Sequence, residues 1–88
     1  MKTKYRKKFL GDLARIQSVQ RKAIETFVFK EVPQLESLGS SGKIERMTGH
    51  KHHYKARFGS YRVGMSLEND QVVFERVLHR KEIYRFFP

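Results

Sequence analysis

Lys55, Arg57, Arg62 and His79 are the residues whose types and spacing best suit phosphodiester chemistry, because two expected β-hairpins would gather them on one side of a sheet. Gly59-Ser60 separates two alternating runs, and glycine first in a two-residue loop suits a II′ hairpin. Phe58 then faces Tyr61, and counting outward pairs Arg57 with Arg62, Ala56 with Val63, Lys55 with Gly64 and Tyr54 with Met65. Cross-strand partners share a face. Lys55, Arg57 and Arg62 therefore fall together, while Tyr54, Ala56, Phe58, Tyr61, Val63 and Met65 line the core side. A second two-residue turn at Asn69-Asp70 pairs Glu68 with Gln71 and Leu67 with Val72. Continued, that count sets Gly64 opposite Glu75 and Val77 opposite Arg62, and brings His79 to the cationic side. It sends Val72, Phe74 and Leu78 to the core face, and Arg76 with them, a costly place for a charge.

Cations on such a face would stabilise the negative charge that develops on a phosphorane, and Gly64, with no side chain, would leave room for a nucleic-acid backbone to approach. The bland reading is a solvated sheet surface kept soluble by Lys and Arg. Glu45 is an isolated acid in a basic segment, either a solvated carboxylate or a general base. Tyr84, Phe86 and Phe87 would ordinarily close a small core, but a phenol at the end of the cationic strand could instead stack on an exposed base. His50, His52 and His53 raise the question of zinc. With no cysteine and only Glu45 nearby, they make a poor ligand set, and no metal or cofactor is expected. The sequence contains no glycine-rich phosphate loop, serine triad or paired-carboxylate arrangement. Phosphoryl chemistry would rest on Lys, Arg, His and Tyr.

The charge balance supports a polyanionic partner. Lysine and arginine number 19 against 9 acidic residues, for a formal net charge of +10. Between positions 43 and 62, Lys43, Arg46, Lys51, Lys55, Arg57 and Arg62 are opposed by Glu45 alone, and His50, His52 and His53 add reserve charge. Lys43, Arg46, Lys51, His53 and the later Arg80 are the expected substrate contacts. The 88 residues make one small domain, 1–88, with a modest core. Five of the first eight residues are basic, but no apolar segment of signal-peptide or membrane-spanning length follows. A cytoplasmic location is expected. The absence of cysteine removes disulfides, thiolate metal sites and a catalytic cysteine.

These residues need a scaffold. Phe9, Leu10, Leu13 and Ile16 recur at helical spacing, as do Ala23, Ile24, Phe27 and Val28 after a possible Ser18 cap, so two amphipathic helices are predicted, the second ending before Pro33. Thr3 to Arg6 is a candidate first strand. Pro33 to Gly42 reads as a connecting loop, Lys43 to Met47 as the first strand of the main sheet, and Lys81 to Phe87 as a short helix that must pack on the sheet to exist. Helices followed by a meandering sheet indicate an α+β fold.

The run GHKHHYKARFGSYRVGMSLENDQVVFERVLHRKEIY, with its Gly49 turn, Tyr54-Lys55-Ala56-Arg57 strand, Tyr61-Arg62-Val63-Gly64 strand and closing His79-Arg80-Lys81-Glu82-Ile83-Tyr84, resembles the RelE/ParE superfamily of type II toxin–antitoxin toxins. The resemblance implies a compact α+β domain: two N-terminal helices on a small antiparallel sheet, a short C-terminal helix, and an antitoxin partner that wraps the toxin. RelE-like members cleave messenger RNA in the ribosomal A site without metal. ParE-like members act on DNA gyrase and lack the RNA-cleaving residues. RelE-like enzymes use a lysine-bearing strand, an arginine on the next strand, a basic residue in the last strand and a C-terminal tyrosine. The matching positions are Lys55 with Arg57, Arg62, His79 or Arg80, and Tyr84. The resemblance therefore implies a ribosome-dependent endoribonuclease: Arg57 and Arg62 hold phosphate, Lys55 or His79 transfers protons, and Tyr84 positions the base. The alternatives are a ParE-like gyrase inhibitor or a non-catalytic relative that binds RNA or antitoxin. Arg57 stands where some relatives carry lysine, and because arginine stays charged it suits phosphate holding rather than proton acceptance.

Overall fold

The computed structural model describes residues 1–88. Five strands form one sheet in the order β1-β5-β4-β3-β2, where β1 is Lys2–Tyr5, β2 Ile44–Arg46, β3 His53–Phe58, β4 Tyr61–Glu68 and β5 Gln71–His79. The α+β class holds, but the sheet is mixed. β1 lies parallel to β5, Lys2 opposite Gln71 and Tyr5 opposite Phe74, because the helices carry the chain from this edge across to β2 at the other.

Helix α1 (Lys7–Ala14) and helix α2 (Gln20–Thr26) cover one face of the sheet. Phe9, Leu13, Ile24, Phe27 and Val28 from the helical side meet Ala56, Val63, Met65, Val72, Phe74 and Val77 from the sheet in one buried core. Leu10 and Ala23 face outward instead. Ser18 does not cap α2: Val19 occupies the cap position, and the Ser18 hydroxyl is buried without a partner.

The second helical segment does not stop before Pro33. A π-helical turn at Phe27–Glu31 leads into a last α-turn, α3 (Val32–Gln34), with the Val32 N–H donating to the Phe27 carbonyl. A proline normally clashes with the carbonyl four residues back, and the wider turn accommodates it. The Val28 carbonyl, five residues before Pro33, accepts the Tyr5 hydroxyl at 3.0 Å.

Both hairpin turns form as the sequence predicts. Gly59 has φ +60°, and Asn69 and Asp70 have φ +50° and +61°, the left-handed pair of a I′ turn. The β3–β4 register follows the count throughout, from His53 opposite Ser66 to Phe58 opposite Tyr61. The β4–β5 register follows it from Glu68–Gln71 to Met65–Phe74 and then breaks. Gly64 pairs with Arg76 rather than Glu75, so Glu75 is the extra residue of a bulge. Three expectations change together. Arg76 leaves the core side, Leu78 moves to the cationic side opposite Arg62, and His79 pairs with Tyr61 on the helix-facing side, its ring centroid 5.9 Å from that of Tyr61.

A carboxylate on α1 holds the bulge. Asp12, 3% exposed, accepts hydrogen bonds from Arg76 Nε at 2.7 Å, Arg76 Nη2 at 3.0 Å and the Val77 N–H at 3.2 Å. These hydrogen bonds raise the Arg76 pKa above its ordinary value, against the opposing effect of partial burial, and the carboxylate charge adds a smaller upward push. Stability tied to that shift is complete below the ordinary guanidinium pKa and is lost only as pH rises through the raised one, so it adds no pH dependence near neutrality. Asp12→Ala would strand a guanidinium and a backbone donor. We expect urea unfolding to show a loss of about 3 kcal/mol; a loss under about 1 kcal/mol would contradict the clamp.

Candidate functional site

Residues of the face away from α1 and α2 build the site. The short helix α4 (Ile83–Phe86) packs on this outer face, where Ile83 and Phe87 join Met47 and Leu78 in a second small core. Four residues cannot hold a helix in water. Burying Ile83 and Phe87, at roughly 1.5–3 kcal/mol each, supplies the hold. The bulge is what makes Leu78 available there. Gly64 takes the opposite role from the one expected: the space beside its Cα is filled by the Phe87 ring, and a Cβ at 64 would lie 2.6 Å from Phe87 Cδ2.

Seated in this way, α4 presents Tyr84 to β3. Lys55 Nζ donates to the Tyr84 hydroxyl at 3.0 Å and lies 5.4 Å from the ring centroid. Tyr84 is 54% exposed, so its ring remains open to a ligand. Arg57 and Arg62 are direct cross-strand partners. Arg62 Nη1 donates to the carbonyls of Gly59 (2.8 Å) and Tyr61 (2.9 Å), which fixes the guanidinium over the turn. Arg57 Nε lies 3.4 Å from Glu45 Oε1, and Glu45 is itself the cross-strand partner of Lys55. The result is a connected cluster of Lys55, Tyr84, Arg57, Glu45 and Arg62. An acceptor, a stacking surface and three cations share one open face.

The other expected residues divide. Arg80 follows β5 with its N–H on the Ser60 carbonyl at 2.7 Å, beside the turn that Arg62 grips. Arg80 is exposed and lies one residue beyond the end of β5. His79 is on the helix-facing side, with Nδ1 accepting the Lys81 N–H at 3.2 Å. Lys43 is drawn away to Glu31 at 2.9 Å and lies over the Phe27 ring. Arg46 pairs with Tyr54 on the helix-facing side of β2, and Lys51 lies in the β2–β3 turn. His53 reaches the outer face but packs edge-on against Phe87, with centroids 5.4 Å apart. His50 and His53 meet edge to face, and no three His, Asp or Glu side chains converge as metal ligands. The sequence indicates that 81–87 must pack on the sheet and offers Phe87 as a core aromatic, as the structure has it, but it does not reveal Met47, Leu78 and Ile83 around Gly64 as the rest of the seat, and Tyr84 and Phe86 stay exposed.

Gly64→Ala should push Phe87 and α4 off the sheet. We expect a stability loss of about 1–3 kcal/mol by denaturant titration, with Tyr84 ring resonances shifting in NMR spectra. Adding Phe87→Leu should recover part of both. An unchanged midpoint and spectrum for Gly64→Ala would refute the seat.

The chain matches the family model described as ParE toxin of type II toxin-antitoxin system, parDE, over residues 3–84. It is 36% identical to Toxin RelE3 of Methanocaldococcus jannaschii over 89 aligned positions, covering 100% of both chains. Its fold is similar to that in the crystal structure of the RelB-RelE antitoxin-toxin complex from Methanococcus jannaschii, with a TM-score of 0.77, 30% identity and coverage of 97% of this chain and 99% of that one. The archaeal RelE-RelB complex from Pyrococcus horikoshii shares the fold at a TM-score of 0.64 and 19% identity, over 90% of this chain and 93% of that one. With the match reaching from β1 through Tyr84, the chain belongs to the RelE/ParE superfamily of type II toxin–antitoxin toxins.

Proposed function

We propose that this toxin is a ribosome-dependent endoribonuclease that cuts messenger RNA in the cytoplasm and is held inactive by a cognate antitoxin. The Lys55–Tyr84 hydrogen bond beside the Arg57–Arg62 pair carries the reading, since it joins a proton donor, a stacking ring and two phosphate-binding forks on one face. The RelE name of the full-length relative and the antitoxin complex of the solved one support it.

In this scheme the ribose 2′-oxygen attacks the adjacent phosphorus as its proton passes to the Glu45 carboxylate, the one acid in the cluster. The P–O5′ bond breaks, and Lys55 protonates the departing 5′-oxygen. The products are a 2′,3′-cyclic phosphate and a 5′-hydroxyl end. Arg57 and Arg62 bear the charge of the phosphorane, Arg80 extends the cationic surface, and Tyr84 stacks on the base to set the in-line approach. His79, turned to the other face, takes no part. The ribosome supplies the extended alignment that so open a site lacks. A ParE-like action on DNA gyrase is the second reading, favoured by the name of the matching family model.

Single-turnover cleavage of ribosome-bound messenger tests the assignment. Arg62→Ala should slow cleavage about a hundredfold, roughly 3 kcal/mol in the barrier. Tyr84→Ala should cost at least about tenfold, and His79→Ala less than about threefold. Ribosome binding should persist in all three. A fully active Arg62→Ala protein would exclude the cationic site, and a strong His79→Ala effect would exclude the division of faces.

A further inference from the structure

We infer that a second strand-binding track leads from the Lys55–Tyr84 site to the start of α1, and that its ligand is the phosphodiester backbone of RNA with a base stacked on Phe86. The inference rests on the RNA-directed reading above. Three adjoining grooves lead from the outer face to α1. Phe87 and Pro88 line both the one at Lys55 and Tyr84 and a neighbouring one of about 440 Å³ that reaches Lys7 and Lys8. A third, of about 500 Å³, shares Lys7, Lys8, Arg76 and Phe86 with the second and extends to Arg15.

The acids along this path are already engaged, which leaves its two lysines uncompensated. Asp12 is taken by Arg76, with Arg15 at 3.6 Å, and Glu75 by Arg6 and Ser66. Lys7 and Lys8 are exposed and take part in no ion pair. They occupy the first turn of α1, which contains no acid, and the positive end of a helix favours acids there. Folding alone would select against this pair, so their sign points to an anionic ligand. The Phe86 ring is 52% exposed and lies 5.2 Å from the Arg76 guanidinium and 5.7 Å from that of Arg85, an aromatic platform flanked by cations. An acidic protein segment would use the lysines but has no base for the ring.

Fluorescence anisotropy with an uncleavable 2′-O-methyl oligoribonucleotide, titrated across a salt series, reads the track directly. Lys7→Glu with Lys8→Glu should weaken binding at least about tenfold and flatten the salt dependence by about 1.4 in slope, two phosphates' worth for a single strand. The same pair should raise the melting temperature by roughly 2 °C, because it favours the α1 dipole. Phe86→Ala should weaken RNA binding at least about fivefold. Lys22→Glu with Lys30→Glu removes equal charge from exposed positions on the helical side and should stay within about twofold of the parent. Equal losses in the two charge-reversed pairs, or an unaffected Lys7/Lys8 pair, would overturn the track. Displacement of RNA by poly-glutamate of matched charge would assign the surface to an acidic protein instead. A parent that cuts no ribosome-bound messenger but shows the expected binding pattern counts against the nuclease alone; one that cuts ribosome-bound messenger yet fails to bind the oligonucleotide overturns the track alone.

Discussion

The bulge at Glu75, clamped by Asp12, is the constraint on which the rest of the molecule depends. Without it, β5 would continue in the simple two-residue register and turn Arg76 into the core and Leu78 toward the helices. The extra residue exchanges these faces. Val77 then enters the main core, Leu78 comes under α4, and Arg76 lies on the outer face within reach of Asp12. The clamp spans 64 positions of sequence and joins α1 to β5. A buried pair of this kind adds little net stability over an apolar packing of equal volume, yet losing one member costs several kcal/mol. It sets the register more than it strengthens the fold.

From that register follows the two-sided use of the sheet. One face is closed by α1 and α2, while the other is left open except where α4 is held by Ile83 and Phe87 around Gly64. The same seat fixes Tyr84 against Lys55. Opposing Arg57 and Arg62 across two strands is unfavourable for folding by a few tenths of a kcal/mol to about 1 kcal/mol. Glu45 beside Arg57, and the two carbonyls that accept from Arg62, offset part of that repulsion. What remains is a face with more cations than acids.

Local chemistry made much of this legible in the sequence. Gly59 and the Asn69-Asp70 pair dictate their turns, and alternation then sets the β3–β4 register and the shared face of Lys55, Arg57 and Arg62. The breaks occur where distant partners decide. Asp12 is remote from the bulge it holds, so alternation alone sent His79 to the wrong face. β1 pairs parallel with a strand nearly seventy positions away. A π-helical turn carries the second helical segment through Pro33, and Glu31 draws Lys43 off the sheet. Gly64 shows the same limit in miniature: a missing side chain signals space, but only the tertiary fold shows that Phe87 fills it.

The central claim is that this cationic face cuts messenger RNA rather than poisoning DNA gyrase. Mapping messenger 5′ ends after induction, alongside covalent gyrase–DNA complexes from the same cells, tests it most directly. The account predicts new 5′-hydroxyl ends within translated frames, on ribosome-bound transcripts, with no rise in gyrase-linked breaks. Gyrase-linked breaks accumulating over intact messengers would contradict it and leave the fold and the superfamily standing.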